Sequence, residues 1–387
     1  MKQAEVVIVG AGVVGASVAY HLAARGCRDV LVLDRGAGPG EGSTGRATGG
    51  FRAQFATEVN VRLSLLSREK LLRFVDETGV DPEFRQRGYL FLARDREELG
   101  ALLVAQAVQH ACGLTEARRV GPDEIAELNP AVGAEGLAGG VFCPTDGFVR
   151  PLEILRGYAE AAVRRGVRVE RGAQVVGFRK DALGRVVSVL TRDGEIGAAH
   201  VVNCAGAWAG EVARLAGVEL PVTPLRRQAA ATVPCDLLPE EMPMTIYVED
   251  GFHLRVRDRR VLLLWPDAPA PADRFDTSFD EGWLAQVLAK AHARLPCTRR
   301  AVVDRAHCWA GLYEMTPDKH AVVGRAPGVE NFYLANGSSG HGVMHAPALG
   351  QLLSEIILDG AARALDIRAL RPTRFAEGEP NVAPDCL

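Results

Sequence analysis

Three clusters of residues in this chain have types and spacing that could do chemistry. The first is Gly10-Ala11-Gly12-Val13-Val14-Gly15, with Asp34 and Arg35 following and Asp34 placed 19 residues beyond Gly15. Gly10 permits a tight turn, Gly12 lets a pyrophosphate approach the backbone, Gly15 lets a helix pack closely on a strand, and Asp34 can accept hydrogen bonds from a ribose. This is the chemistry of holding a dinucleotide, and these residues alone do not decide which one. The second cluster is residues 36–52, with Ser43, Thr44, Arg46, Ala47, Thr48 and Gly49, which carries too many glycines for the second helix of a simple nucleotide-binding unit. The third is Gly337-Ser338-Ser339-Gly340-His341-Gly342-Val343-Met344, where backbone N–H groups and a histidine flanked by glycines face whatever occupies the turn. Arg52 and Arg255 offer planar forks that match a carboxylate.

The elements around these clusters are those that could position them. Residues 5–9 form a short β-branched run, the pattern of a strand buried on both faces, and lead into an Ala/Leu-rich helix that ends near Gly26. A second apolar strand at residues 30–33 closes on Asp34, so the glycine motif sits in the strand–turn–helix–strand context it needs. Helical spacing recurs over residues 57–79, 97–112, 120–128 and 152–165, and strand patterns over 88–93, 167–170, 174–178, 186–191 and 196–202. The strand ending at Asn203 runs into Cys204-Ala205-Gly206-Ala207-Trp208, small residues that would let the backbone approach a ligand. Residues 219–310 lose the βα regularity and read as an antiparallel sheet, with strands at 245–248, 252–256 and 261–264. A strand at 332–335 then feeds the glycine-rich turn into a helix over residues 346–358. The fold class expected is α/β, α+β overall. A nucleotide unit (1–85, 148–218 and 318–372) is interleaved with a sheet-bearing substrate unit (86–147 and 219–317), and 373–387 form a tail.

Composition limits the alternatives. At 387 residues the chain exceeds the size at which one core keeps growing, so two units are the expectation. Apolar residues make up 48 % and charged ones 24 %, and 45 basic against 48 acidic side chains leave a net charge of −3. That balance gives no field for gripping nucleic acid or an anionic membrane, and no run of about 20 apolar residues provides a spanning helix. The eight cysteines (27, 112, 143, 204, 235, 297, 308 and 386) show no CxxC or Cys/His metal spacing, so neither a metal site nor disulfide staples are expected, and the compartment expected is the cytoplasm. Only positions 2, 70, 180, 290 and 319 are lysine, which shortens the list of lysines able to do chemistry.

With the glycine-rich run at 36–52 added to the amino-terminal motif, the chain resembles the D-amino acid oxidase-like flavoproteins. That family includes sarcosine oxidase and its β subunit, glycine oxidase and proline dehydrogenases. The stretch from Trp309-Ala310-Gly311-Leu312-Tyr313 through Thr316-Pro317-Asp318 to Gly337–Met344 is similar to the sarcosine oxidase β-type signature. The resemblance implies bound FAD. It places the 43–49 segment along the flavin and pyrophosphate, Val175 at the adenine, and Ala205, Gly206 and Trp208 beside the cofactor. It also implies that Gly311, Gly337, Gly340, His341, Gly342, Val343 and Met344 lie near the flavin ring, whose reduced negative edge a helix amino end would stabilise.

The same comparison implies Arg52 as a substrate arginine. Arg255 rests on its place in the expected substrate sheet, and Tyr247, His253 and Tyr313 are further pocket candidates. Two departures from the single-chain sarcosine oxidases stand out. Gly311 occupies the position of their flavin-linking cysteine, with Cys308 three residues away, which implies non-covalent FAD. Met344 and the 253–255 segment stand where those enzymes have lysines, which favours a dehydrogenase over an oxidase. The activity implied is oxidation of a small amino acid or secondary or N-methyl amine by hydride transfer to flavin, followed by imine hydrolysis. Electrons would pass to a quinone, a partner subunit or oxygen, within a homo- or hetero-oligomer. A flavin-carrying subunit or assembly factor without turnover is the alternative.

Overall fold

Burial on both faces makes Lys2–Val9 the centre of a sheet. It pairs in parallel with Val30–Asp34 on one side and Gly194–Asn203 on the other. In the computed structural model, which describes residues 2–133, 135–267 and 270–382, this sheet extends through Arg168–Arg171 at one edge and Phe332–Asn336 and Val322–Arg325 at the other. The hairpin Val175–Lys180 and Val186–Thr191 is joined to Gly194–Asn203. Helices Val13–Ala24, Pro151–Arg164, Glu58–Leu72 and Gly342–Asp359 pack against one another over this sheet, so both ends of the chain share one layer. Contact there is close: a Cβ at Gly350 would lie 2.2 Å from the Ser17 hydroxyl.

The second sheet runs in the order Trp309–Met315, Thr223–Ala231, Arg260–Leu264, His253–Arg257, Met244–Tyr247, Tyr89–Ala93, Gly139–Cys143 and Arg118–Val120. Only Met244–Tyr247 with Tyr89–Ala93 is a parallel pair. Strand alternation sorts its side chains. Leu90, Leu92, Leu254, Val256 and Ala230 face a core built with Trp283 and Val287. Their neighbours Tyr89, Phe91, His253 and Ala229 line a cavity between the two sheets.

Two expectations are corrected. Within residues 219–310, Glu281–Arg294 is a helix, capped by the Asp280 carboxylate accepting from Gly282 and Trp283 N–H; its apolar residues Trp283, Val287 and Ala291 cover the back of the second sheet. The last helix begins at Gly342 rather than Ala346. Pro347 reads as a first-turn residue, yet it lies one and a half turns inside, forgoing one backbone hydrogen bond. Arg374, in the 3₁₀ turn Pro372–Phe375, is fully buried against Asp318. Residues 383–387, with Cys386, lie outside the described residues. The seven described cysteines are free. Among the described residues no group of His, Cys, Asp and Glu could hold a metal ion, and no helix is long and apolar enough to cross a membrane.

Candidate active site

The turn after the first strand has the geometry that its glycines permit. Gly10 has φ +108°, and a Cβ there would lie 2.3 Å from the Cys204 carbonyl oxygen. A Cβ at Gly15 would lie 1.9 Å from the Gly10 carbonyl oxygen, so the helix can approach the strand only with glycine at this position. The helix Val13–Ala24 has neither a side-chain cap nor an acidic residue in its first turn, and Gly12, Val13 and Val14 line the cavity. Its positive end is therefore open to an anion. Thr44 accepts from the Val13 N–H (3.1 Å), tying the glycine-rich loop to this turn. Asp34 also ties loops, accepting from Ala11 N–H (2.6 Å) and Gly36 N–H (2.7 Å) while lining the same cavity. Each oxygen keeps a further lone pair for a ribose hydroxyl.

The 43–49 loop is stitched to the second sheet. Ser43 donates to Leu312 O (2.6 Å), Arg46 to Ala310 O (2.6 Å), and the Trp309 indole to Arg46 O (2.7 Å). Arg255 serves the same loop. Its guanidinium donates to Thr48 O (2.9 Å) and Gly49 O (3.2 Å) and stacks 3.6 Å above the Phe148 ring. It does not line the cavity, so the geometry gives it a loop-holding place rather than the substrate-facing one expected. Gly15 and Gly337 also lie off the lining, acting through close packing; a Cβ at Gly337 would lie 2.3 Å from Thr316 Cγ2.

The other residues singled out in the sequence converge on one cavity of about 1130 Å³. At one end stand Asp34, Arg35, Val175, Ala205, Gly206 and Trp208, with Arg35 3.6 Å above the Trp208 ring and Trp208 stacked on Phe275. Ser43, Thr44, Arg46, Ala47, Thr48 and Gly49 form the middle with Gly10, Gly12, Val13 and Val14. Gly311, Tyr313, Gly340, His341, Gly342, Val343, Met344, Arg52 and His253 close the other end. Tyr247 faces away, packed in the core behind the sheet.

Electrostatics at the closed end favour neutral imidazoles. Burial, with the Arg52 charge acting the same way, pulls His341 well below the ordinary range and His345 to about 3. Arg52 sits 3.4 Å from His341 Nε2, bonds to Gln54 O and stacks 3.9 Å from the Phe55 ring. His253 is pulled to about 4 by burial and by Arg52 and Arg227; its Nδ1–H donates to Gly251 O (2.7 Å), leaving Nε2 as an acceptor. Asp146 organises the Arg52 segment, accepting from Ala53 N–H (2.7 Å) and the Gln54 amide (3.0 Å); burial pushes its carboxyl up to about 6.

Sequence reasoning missed Arg227, Tyr89, Phe91, Met244 and Ile246, all of which line the cavity. Their signal is alternation along strands, which becomes useful only once the facing surface is known.

The amino-terminal glycine turn, the 43–49 loop and the Gly337–Met344 turn thus line a single elongated space, and the described residues fit a dinucleotide with a flavin at its far end. A family model described as FAD dependent oxidoreductase matches residues 5–356. The chain belongs to this family. Its cofactor is FAD, and the protein is a FAD-dependent oxidoreductase. Among solved structures, L-proline dehydrogenase from P. horikoshii superposes with a TM-score of 0.91 at 30 % identity, covering 98 % of this chain and 100 % of that one. Glycine oxidase from Geobacillus kaustophilus gives 0.83 at 25 % identity, over 97 % and 99 %. In sequence, the Xenopus laevis FAD-dependent oxidoreductase domain-containing protein 1 is 30 % identical over 98 % of this chain and 84 % of its own length. Rat mitochondrial dimethylglycine dehydrogenase is 29 % identical over 97 % of this chain, which spans 45 % of that protein.

Proposed function

We propose that this flavoprotein oxidises a small amino acid bearing a primary, secondary or N-methylated amine. The observation carrying this reading is the closed end of the cavity, where arginines, neutral imidazoles and apolar strand residues surround the space beside the Gly337–Met344 turn. In this reading residues 1–85, 148–218 and 318–372 form the cofactor unit, and 86–147 and 219–317 the substrate unit.

FAD, when bound, accepts a hydride from the carbon next to the substrate nitrogen. The chain's own residues do the rest. A guanidinium fixes the substrate carboxylate, and the apolar residues Phe91, Met244, Ile246 and Leu264 strip water from the amine, favouring its neutral form. His253 Nε2, neutral and unprotonated, would accept a hydrogen bond from the amine and so orient its lone pair. As the hydride leaves, the nitrogen lone pair forms a C=N bond. The resulting iminium cation takes up water and its C–N bond breaks to give a carbonyl compound and the protonated amine. The electron acceptor would be a quinone, a partner subunit or, slowly, oxygen. None of the five lysines lines the cavity, which supports a dehydrogenase. The first helix and the Gly337–Met344 turn hold FAD by backbone groups and packing. Cys308 Sγ lies against Ala231, behind the second sheet, which supports non-covalent attachment.

Anaerobic mixing of FAD-loaded protein with a panel of amino acids and N-methyl amines tests the reading. Bleaching of the flavin absorbance by at least one amine is expected. Retention of the oxidised spectrum against the whole panel refutes it and favours a flavin-carrying subunit without turnover.

A further inference from the structure

The cavity wall supplied by the second sheet carries a row of residues that crosses five strands in register. Ala229 pairs with Leu264, Leu264 with His253, His253 with Ile246, and Ile246 with Phe91. Directly paired residues face the same side of a sheet, and all five line the cavity. Four interstrand steps make this floor roughly 19 Å wide, and a guanidinium stands at each end. Arg52 lies 5.6 Å from the Phe91 ring. Arg227, two residues before Ala229 and so on the same strand face, lies 5.8 Å from the Tyr313 ring. Both charges act on His253 and on Tyr313.

The surroundings of Arg227 call for an anion. Its neighbour Arg226 points to the opposite side of the sheet, where Asp276 and Asp280 each approach within 3.5 Å. Arg227 is half-buried, bonds through its side chain to Arg226 O (3.4 Å), and forms no ion pair among the described residues. Burial pulls its pKa down against the opposing pull of Tyr313 and of the Asp267 carboxylate, which forms no ion pair with it. The sheet thus neutralises one of two adjacent arginines and presents the other to the cavity. Between the two cationic ends the floor is apolar at Leu264 and Ile246 and carries one neutral imidazole at its centre.

We propose that the substrate is an amino acid with two carboxylates, one held by Arg52 at the Phe91 end and the other by Arg227 at the Tyr313 end. The amine then lies over His253, and the intervening methylenes rest on Ile246 and Leu264. This specifies the substrate class of the oxidation proposed above and rests on that reading.

Binding is measured by perturbation of the flavin absorbance in the FAD-loaded full chain, with propionate as monoacid and succinate and glutarate as diacids. A charge-assisted contact predicts at least about tenfold tighter binding of the better diacid. Arg227→Gln should abolish that preference, and Arg227→Lys should restore part of it. In turnover, iminodiacetate or N-methylaspartate should bleach the flavin at lower concentration than sarcosine. Equal binding of mono- and diacids, or an Arg227→Gln protein that keeps the diacid preference, overturns the proposal. Should Arg227→Gln not retain FAD, the wild-type ratio and Arg227→Lys decide. Because these acids are not oxidised, the titration stays decisive even if no amine bleaches the flavin, an outcome that would count against the oxidation alone.

Discussion

Arg374 is the residue whose removal should unfold the site's scaffold most directly. Its guanidinium donates to both oxygens of Asp318 (2.8 and 2.9 Å) and to His320 O (2.9 Å), and the paired side chains are 0 % and 1 % exposed. Asp318 closes the Thr316-Pro317-Asp318 turn ahead of the strands that lead to Gly337, so the pair fixes the carboxy-terminal signature from behind. Among the described residues, Arg374→Ala leaves a buried carboxylate with only Asn381 N–H and amide (3.0 Å each) and His320 N–H (3.2 Å) as donors. Removing one partner of a buried pair typically costs about 3 to 5 kcal/mol; the surviving donors place the expectation near the lower figure. Arg374→Met with Asp318→Leu should cost less than either single change, because no charge is then stranded.

Equilibrium urea unfolding of the holoprotein measures these differences. Burial pushes the Asp318 carboxyl up, but the hydrogen bonds and charge of Arg374 and the Asn381 N–H outweigh it and hold it well below the usual carboxylate range. Its stabilising contribution is therefore present above the unfolded value near pH 4 and fades as pH falls through the lower folded value. An Arg374→Ala protein within about 1 kcal/mol of wild type at pH 7 would refute this account of the pair.

Gly15→Ala should give folded protein that purifies without yellow colour, because the obstructing Gly10 carbonyl is backbone and has nowhere to move; a normal flavin absorbance spectrum in that variant would overturn the packing argument. Asp146 titrates in the opposite sense to Asp318. With its carboxyl raised to about 6, the neutral form is favoured in the fold, so its contribution is complete below about pH 4 and is lost as pH rises through 6, on the order of 2 to 3 kcal/mol. Unfolding free energies of wild type and Asp146→Asn at pH 4.5 and 7.5 should therefore differ in slope, and parallel curves would refute it. Precipitation with acid should leave all flavin in the supernatant; colour in the pellet would show a covalent link.

Much of the cofactor cleft was legible because its chemistry is local. A glycine turn between a buried strand and a helix constrains φ at Gly10 and contact at Gly15 within a few residues. Asp34 follows from the length of one helix and one strand. The resemblance of the 309–344 stretch placed the second half of the cavity without needing to know how the two ends meet. The helix Glu281–Arg294 was hidden because its apolar stripe is short and follows a proline-rich segment that reads as sheet. The start of the last helix was misplaced because proline is a good first-turn residue, a preference that here yields to packing of the helix beneath the glycine turn.

The substrate wall was illegible for a different reason. In a chain with forty arginines, type alone does not separate Arg52 and Arg227 from the rest, and Arg226 and Arg227 are indistinguishable by composition. What separates them is the face of a strand and the charges across from it. Arg226 meets two aspartates from the segment that leads into Glu281–Arg294, Arg255 meets loop carbonyls, and Arg227 meets the cavity with no carboxylate of the described residues paired to it. An arginine's function here is set by which anion the fold withholds from it, and that is a property of non-local packing. Under the proposed substrate class, specificity resides in the second sheet and changes by altering single alternate positions along its strands, while the glycine turns remain fixed by backbone contacts that tolerate no side chain.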